Sequence, residues 1–176
     1  MIINDELFSK DECNQIIGLL KDDNLIEKIV RLDIDGEYKY KTHGIFYNEK
    51  TGWVLNRMID WFFNKTSLTR DEDYTLDGYM INHYKTGDYF KKHIDKCKRF
   101  PNRDINLGVI LTDDFSGGDY ICYDINDKPI HFPKKVGTVI GYTSEVPHEI
   151  TEVLSGDRWS VVFISNGLIK KNNKLI

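Results

Sequence analysis

Two imidazoles and one carboxylate can hold a ferrous ion on one face and leave the opposite face open to a co-substrate and oxygen. His93, Asp95 and His148 are residues of those types, and Arg158, ten residues after the second histidine, adds a guanidinium whose planar fork matches a carboxylate. The chemistry this set supports is oxidation at iron, with the dicarboxylate 2-oxoglutarate as a co-substrate anchored by Arg158. With five histidines and 28 acidic residues among 176, chance supplies on the order of one His-x-acid triplet. His93-Ile94-Asp95 therefore carries weight only through its setting.

In Phe90-Lys91-Lys92-His93-Ile94-Asp95 the side chains of His93 and Asp95 fall on one face of an extended segment, because strand side chains repeat with period two. The second histidine follows a β-branched and aromatic run, Val136 to Tyr142, and a turn at Glu145-Val146-Pro147. His148 to Thr151 opens the next strand, and a turn around Ser155-Gly156-Asp157 leads into Arg158 to Ile164. His148 and Arg158 are thus expected on an antiparallel pair joined by that turn, with both side chains at one cavity.

The remaining elements must build that cavity. Strands are predicted at 75–84, 89–94, 104–112, 119–124, 129–132, 137–142, 147–153 and 158–165. Eight short strands with turn signals between them fit a mainly β chain with a double-stranded β-helix, or jelly-roll, core. The N-terminal third reads as mostly helical. Ser9 to Glu12 is a capping box ahead of the apolar stripe Ile16, Ile17, Leu19 and Leu20, and a second helix is predicted from Gly52 to Asn64. Between them Lys28 to Leu32 reads as a strand, Asp35-Gly36-Glu37 as a turn, and Tyr38 to Tyr47 as an aromatic, basic stretch able to form a lid. Residues 1–176 are read as one domain, with helical support at about 8–66 bracing the larger sheet of a core at about 74–166.

Tyr84 to Asp95, with Gly87, Phe90 and His93 at fixed intervals, resembles the Tyr-x-x-Gly-x-x-aromatic-x-x-His-x-Asp signature of prolyl 4-hydroxylase-like Fe(II)/2-oxoglutarate-dependent oxygenases. Arg103 to Asp113 is similar to that family's next core strand, Phe115 to Asp119 to its Gly-Gly turn, and Pro147 to Phe163 to its closing segment with the distal histidine and basic residue. The resemblance spans about residues 77–165 and implies the jelly-roll fold. It also implies Fe(II) held by His93, Asp95 and His148, with 2-oxoglutarate and O2 as co-substrates, succinate and CO2 as co-products, and ascorbate as a reductant. Arg158 would take the distal carboxylate, and Tyr84 stands where the family has a hydroxyl near the co-substrate. Three positions depart from the pattern: Arg158 stands where many prolyl 4-hydroxylases have lysine, Ile164 where peptide-acting relatives commonly have tryptophan, and Ile110 where some have a tyrosine on the distal carboxylate. Asn106 is the residue expected to supply a hydrogen bond in place of that tyrosine.

The net charge of −4 argues against a general nucleic-acid binder, although Lys91, Lys92, Lys96, Lys98 and Arg99 cluster beside the proposed iron site. That cluster is either a steering patch for anions or a solvated face. No run approaches the length of a membrane span, the start carries acids where a secretory signal has bases, and three cysteines form no Cys-x-x-Cys pair. A cytoplasmic protein with free thiols and no membrane or nucleic-acid partner is expected. His83, His43 and His131 are assigned structural or surface roles, His83 on the strand face opposite Tyr84. Prolyl residues of a peptide or protein are the leading substrate reading. A free amino acid or small molecule, and a non-catalytic cupin-like metal-binding domain, remain as alternatives; a nucleic-acid demethylase is disfavoured, because such relatives carry a second arginine where Ile164 stands.

Overall fold

The computed structural model describes residues 1–19, 26–31, 38–45 and 49–170, with 26–31 and 38–45 described by their backbone. In chain order the elements are β1 (Ile2–Glu6), α1 (Lys10–Gly18), β2 (Ile26–Arg31), β3 (Tyr38–Ile45), α2 (Gly52–Lys65), β4 (Thr75–Tyr84), β5 (Tyr89–His93), β6 (Arg103–Ile110) and β7 (Ser116–Gly117). They continue as β8 (Tyr120–Tyr123), β9 (Pro129–His131), β10 (Thr138–Thr143), β11 (His148–Ile150), β12 (Val153–Ser155) and β13 (Arg158–Asn166). The order along the main sheet is β1-β10-β6-β13-β4-β3-β5-β11-β8-β9, with β2 paired to β3 and a separate ribbon of β7 and β12. β3 pairs with β4 through Lys41 to Gly44 and with β5 through Tyr38 and Lys39, so one strand joins the two halves of the jelly roll.

The larger half is covered by α2. Val54, Leu55, Met58, Ile59 and Phe62 recur at helical spacing and are fully buried. They share a core with Ile81, Leu107, Val109, Val139, Val161 and Phe163, which point outward from β4, β6, β10 and β13. Each such side chain contributes about 1.5–3 kcal/mol on burial, so this one interface fixes which sheet face turns away from the cavity. Gly141 lets α2 approach, since a Cβ there would lie 2.7 Å from a ring carbon of Phe62. At α1 the expected capping box is present: Glu12 N–H donates to Ser9 Oγ at 3.3 Å and Ser9 N–H to Glu12 Oε2 at 2.9 Å.

Alternation does the rest. On β13, Trp159, Val161 and Phe163 face outward while Ser160, Val162 and Ile164 line the cavity; on β4, Met80, Asn82 and Tyr84 line it and His83 turns away. His83 stacks on Trp159 at 3.8 Å and its Nε2 meets Asp157 Oδ1 at 2.7 Å, in line with the structural role expected for it.

Three expectations need correction. Among its described residues the N-terminal third is not mostly helical: β1, β2 and β3 all join the sheet, β1 as the strand beside β10. Short polar segments such as Ile2–Glu6 carry little strand signal, and pairing with a neighbour decides them. The predicted strand 147–153 is two strands, β11 and β12, and β12 pairs with β7 rather than continuing. Finally, β11 and β13 are not hydrogen-bonded neighbours. β11 pairs with β5 and β8, whereas β13 pairs with β4 and β6, because successive jelly-roll strands pass to opposite sheets. The turn at Asp35-Gly36-Glu37 and residues Leu20, Leu32, Phe46 and Tyr47 lie outside the described residues, as do the side chains of His43 and the rest of the expected lid.

Candidate metal and co-substrate site

Antiparallel register places His148 directly opposite His93, on β11 and β5, and brings the ring centroids to 4.2 Å. Asp95 follows two residues after the end of β5, and its Oδ2 lies 3.4 Å from His148 Nε2 while its Oδ1 lies 3.8 Å from His93 Nε2. One ligand atom from each of the three residues lies within 4.8 Å of the others. The rings are also in the right protonation pattern. His93 Nδ1–H donates to the Lys91 carbonyl at 2.7 Å and His148 Nδ1–H to the Val146 carbonyl at 3.1 Å, which leaves both Nε2 lone pairs facing Asp95. His93 Nε2 is buried and has no hydrogen-bond partner, an orphan that a metal ion would satisfy. Burial above all, and then the neighbouring His93, pull the His148 pKa down to about 4, so this imidazole is neutral at physiological pH. The donor set and its orphaned nitrogen fit Fe(II) with open positions.

Asp95 is held from behind. Arg103 Nη1 donates to its Oδ1 and to its backbone carbonyl at 3.3 and 3.4 Å, while Arg103 Nε pairs with Asp77. Asn106 Nδ2 donates to Asp95 Oδ2, and Ser144 Oγ donates to Asn106 Oδ1 at 3.0 Å, so the Asn106 amide has a defined orientation. The structure thus engages Asn106 at the metal cluster rather than beside Arg158. The reason is register. Asn106 lies opposite Ile164, six residues along β13 from Arg158, or roughly 20 Å of strand at ~3.3 Å per residue.

Arg158 is 1% exposed. Its Nε donates to the Gly118 carbonyl at 3.0 Å and its Nη1 to Ser160 Oγ at 3.0 Å, and Nη2 is buried without a partner. Gly118 has φ +58°, and a Cβ there would lie 3.0 Å from Arg158 Cδ, so only glycine lets this turn lie flush on the arginine. The guanidinium carbon sits 5.2 Å from the Tyr84 ring and 6.0 Å from that of Phe115. Burial lowers the Arg158 pKa from its ordinary value, but the group keeps its charge. A guanidinium with a free N–H aimed into a buried space can hold a carboxylate.

Between these groups lies a cavity of about 360 Å³, lined by Tyr84, Phe90, His93, Asp95, His148 and Ser160 among others. Tyr120 and Tyr142 also line it and join their hydroxyls in a hydrogen bond; the sequence reading missed both. Burial pushes both phenols well above their ordinary range, so they are neutral donors. Their only signal in the sequence was strand position, which hundreds of ordinary core tyrosines share. Outside the cavity the basic cluster is partly neutralised: Lys92 pairs with Asp127 and Lys96 with Glu145 at 2.6 Å. Among the described residues no helix is long and apolar enough to cross a membrane.

Several solved structures share this architecture. A prolyl-4-hydroxylase from Pseudomonas putida superposes with a TM-score of 0.73 at 14% identity, covering 94% of this chain and 91% of that one. The viral collagen prolyl hydroxylase of Paramecium Bursaria Chlorella virus-1, in its 2-oxoglutarate complex, gives 0.71 at 18% identity over 95% and 96%. A Trichoplax adhaerens prolyl hydroxylase bound to a hypoxia inducible factor oxygen degradation domain peptide fragment gives 0.71 at 18% over 95% and 83%. No curated protein sequence matches the chain. These likenesses establish the double-stranded β-helix fold; the sequence itself, over residues 79–165, matches the family model of the 2OG-Fe(II) oxygenase superfamily. The chain belongs to that superfamily, the dioxygenases that use Fe(II), 2-oxoglutarate and O2.

Proposed function

We propose that this dioxygenase hydroxylates prolyl residues of a peptide or protein, with His93, Asp95 and His148 holding Fe(II) and Arg158 anchoring the distal carboxylate of 2-oxoglutarate. The observation that carries the site assignment is the pair of Nδ1–carbonyl hydrogen bonds that turn both Nε2 atoms toward Asp95. The substrate assignment rests on the shared architecture with three prolyl hydroxylases. When bound, the iron supplies the redox chemistry that couples decarboxylation of 2-oxoglutarate to hydroxylation of the substrate. The chain's own residues provide the rest. Asn106 and Arg103 hold the Asp95 carboxylate in place, Arg158 and Tyr84 orient the co-substrate, and Phe90, stacked on His93 at 3.8 Å, shields that ligand from water.

A second reading has its own support. Ile164, 7% exposed, forms cavity wall where peptide-acting relatives commonly carry tryptophan, which favours a free amino acid or other small molecule as substrate. The deciding assay measures succinate from 2-oxoglutarate with Fe(II) and ascorbate, with and without proline-rich peptides, using His93→Ala as the blank. Peptide-stimulated, His93-dependent succinate with hydroxyproline in the peptide is the expected result. Turnover that peptides leave unchanged would transfer the assignment to small molecules, and no His93-dependent succinate under any condition would refute the site.

A further inference from the structure

Some relatives hold the distal carboxylate of the co-substrate with a tyrosine at the position occupied here by Ile110, and Asn106, the residue expected to replace it, is engaged at Asp95. Yet the surroundings of Arg158 are not short of hydroxyl groups. Ile110 lies opposite Ser160 across β6 and β13, and Ser160 Oγ accepts from Arg158 Nη1, so the guanidinium is tied to the cavity side of the strand at Ile110's own level. Tyr142 packs in the same apolar cluster as Ile110, and Tyr120 packs against that cluster. Tyr120 comes from β8 in the opposite sheet, with its ring parallel to that of His148 at 6.0 Å.

Counting protons assigns the two phenols different tasks. Two hydroxyls hydrogen-bonded to each other hold two protons and use one, leaving one O–H to find an acceptor. Both rings line the cavity, Tyr142 at 2% exposure and Tyr120 only partly buried, so the Tyr120 hydroxyl is the more accessible of the two to an acceptor in the cavity. Tyr120 is also the phenol of the pair on Arg158's side: it follows Gly118, whose carbonyl accepts from Arg158 Nε, by two residues and packs against the cluster of Tyr84, whose ring lies 5.2 Å from the guanidinium carbon. A donor in that place adds a hydrogen bond to an anion without setting a second positive charge beside a buried guanidinium.

We infer that Tyr120 is a binding residue for the distal carboxylate of 2-oxoglutarate, donating to it beside Arg158 Nη2, and that Tyr142 is a positioning residue that directs the Tyr120 hydroxyl. The inference rests on Arg158 being the co-substrate anchor. Together the two side chains would replace, from two different strands, the tyrosine absent at Ile110, and would select a dicarboxylate over a 2-oxo monocarboxylate.

The test uses calorimetric titration of Mn(II)-loaded protein with 2-oxoglutarate and with 2-oxopentanoate, which has the same chain length and no distal carboxylate. Tyr120→Phe is expected to weaken 2-oxoglutarate about tenfold, the value of one hydrogen bond to a charged group, while changing 2-oxopentanoate by less than about twofold. Tyr142→Phe should produce a smaller loss in the same direction, and Mn(II) affinity should be unchanged in both. Equal binding of 2-oxoglutarate by wild type and Tyr120→Phe would overturn the inference. So would equal losses for the two acids, since that pattern reports a ring that merely supports His148. Arg158→Met separates the underlying reading: if it binds 2-oxoglutarate as wild type does, the anchor itself is wrong, whatever Tyr120 does.

Discussion

Replacing Arg158 by methionine should separate binding from stability, because the two effects have opposite origins. Among the described residues no carboxylate pairs with this guanidinium; its contacts are a carbonyl, a hydroxyl and two aromatic rings. Burying such a charge costs several kcal/mol, and its two hydrogen bonds return about 1.5–3 kcal/mol each. The balance is near zero, and methionine fills similar volume with apolar atoms, so the ligand-free protein should change in stability by about 1 kcal/mol or less. Co-substrate binding should behave differently. Loss of a charge-assisted contact to the orphaned Nη2 is worth about 3 kcal/mol, which raises the 2-oxoglutarate dissociation constant roughly a hundredfold. At a ligand concentration about 100 times the wild-type dissociation constant, wild type gains about 2.7 kcal/mol. For a chain of this length that is a rise in melting temperature of roughly 5–11 °C. Scanning calorimetry of Mn(II)-loaded proteins with and without 2-oxoglutarate would show this shift in wild type and little of it in Arg158→Met. A full shift in the variant, or a ligand-free variant destabilised by more than about 3 kcal/mol, would refute the assignment and make Arg158 a structural residue.

Other perturbations probe the surroundings. Asn106→Leu keeps the shape and removes the donor to Asp95 Oδ2; Mn(II) affinity should fall about 10- to 100-fold, as for other groups that orient metal ligands, and wild-type affinity in a calorimetric titration would rule out that role. His148 is neutral when folded and titrates at about 4, against its ordinary value of 6.5. The unfolded chain therefore binds the extra proton first, so stability from this group is intact above pH 6.5 and declines as pH falls toward 4. The loss amounts to roughly 3 kcal/mol in the metal-free protein. Urea unfolding of wild type and His148→Leu at both pH values checks this, and parallel losses would exclude it. Gly137 has φ +83°, and a Cβ there would lie 1.7 Å from the Phe8 carbonyl oxygen, which displaces the junction of β1 and α1. Gly137→Ala should cost at least about 3 kcal/mol; an unchanged urea midpoint would contradict the geometry.

Much of the site was legible before any coordinates. Period-two alternation set His93 and Asp95 on one side of their segment and Tyr84 and His83 on opposite faces of β4. The capping box and the apolar spacing located α1 and α2 for equally local reasons. These features depend on one segment's own geometry, so its residues determine them. The route by which His148 and Arg158 meet was different. A turn signal at Gly156 suggested a hairpin, and only the folded sheets show each strand leaving for a separate partner. Asn106 was correctly placed on a core strand but attributed to the wrong end of the cavity, since distance along a neighbouring strand is fixed by inter-strand register and not by sequence. Tyr120 and Tyr142 gained their meaning only when β8 and β10 came together from opposite sheets. Residue types, strand faces and the match to the superfamily are thus local properties of the chain. The tertiary structure decided which donors share a carboxylate, because long-range strand pairing is a property of the whole core and is encoded in no single segment.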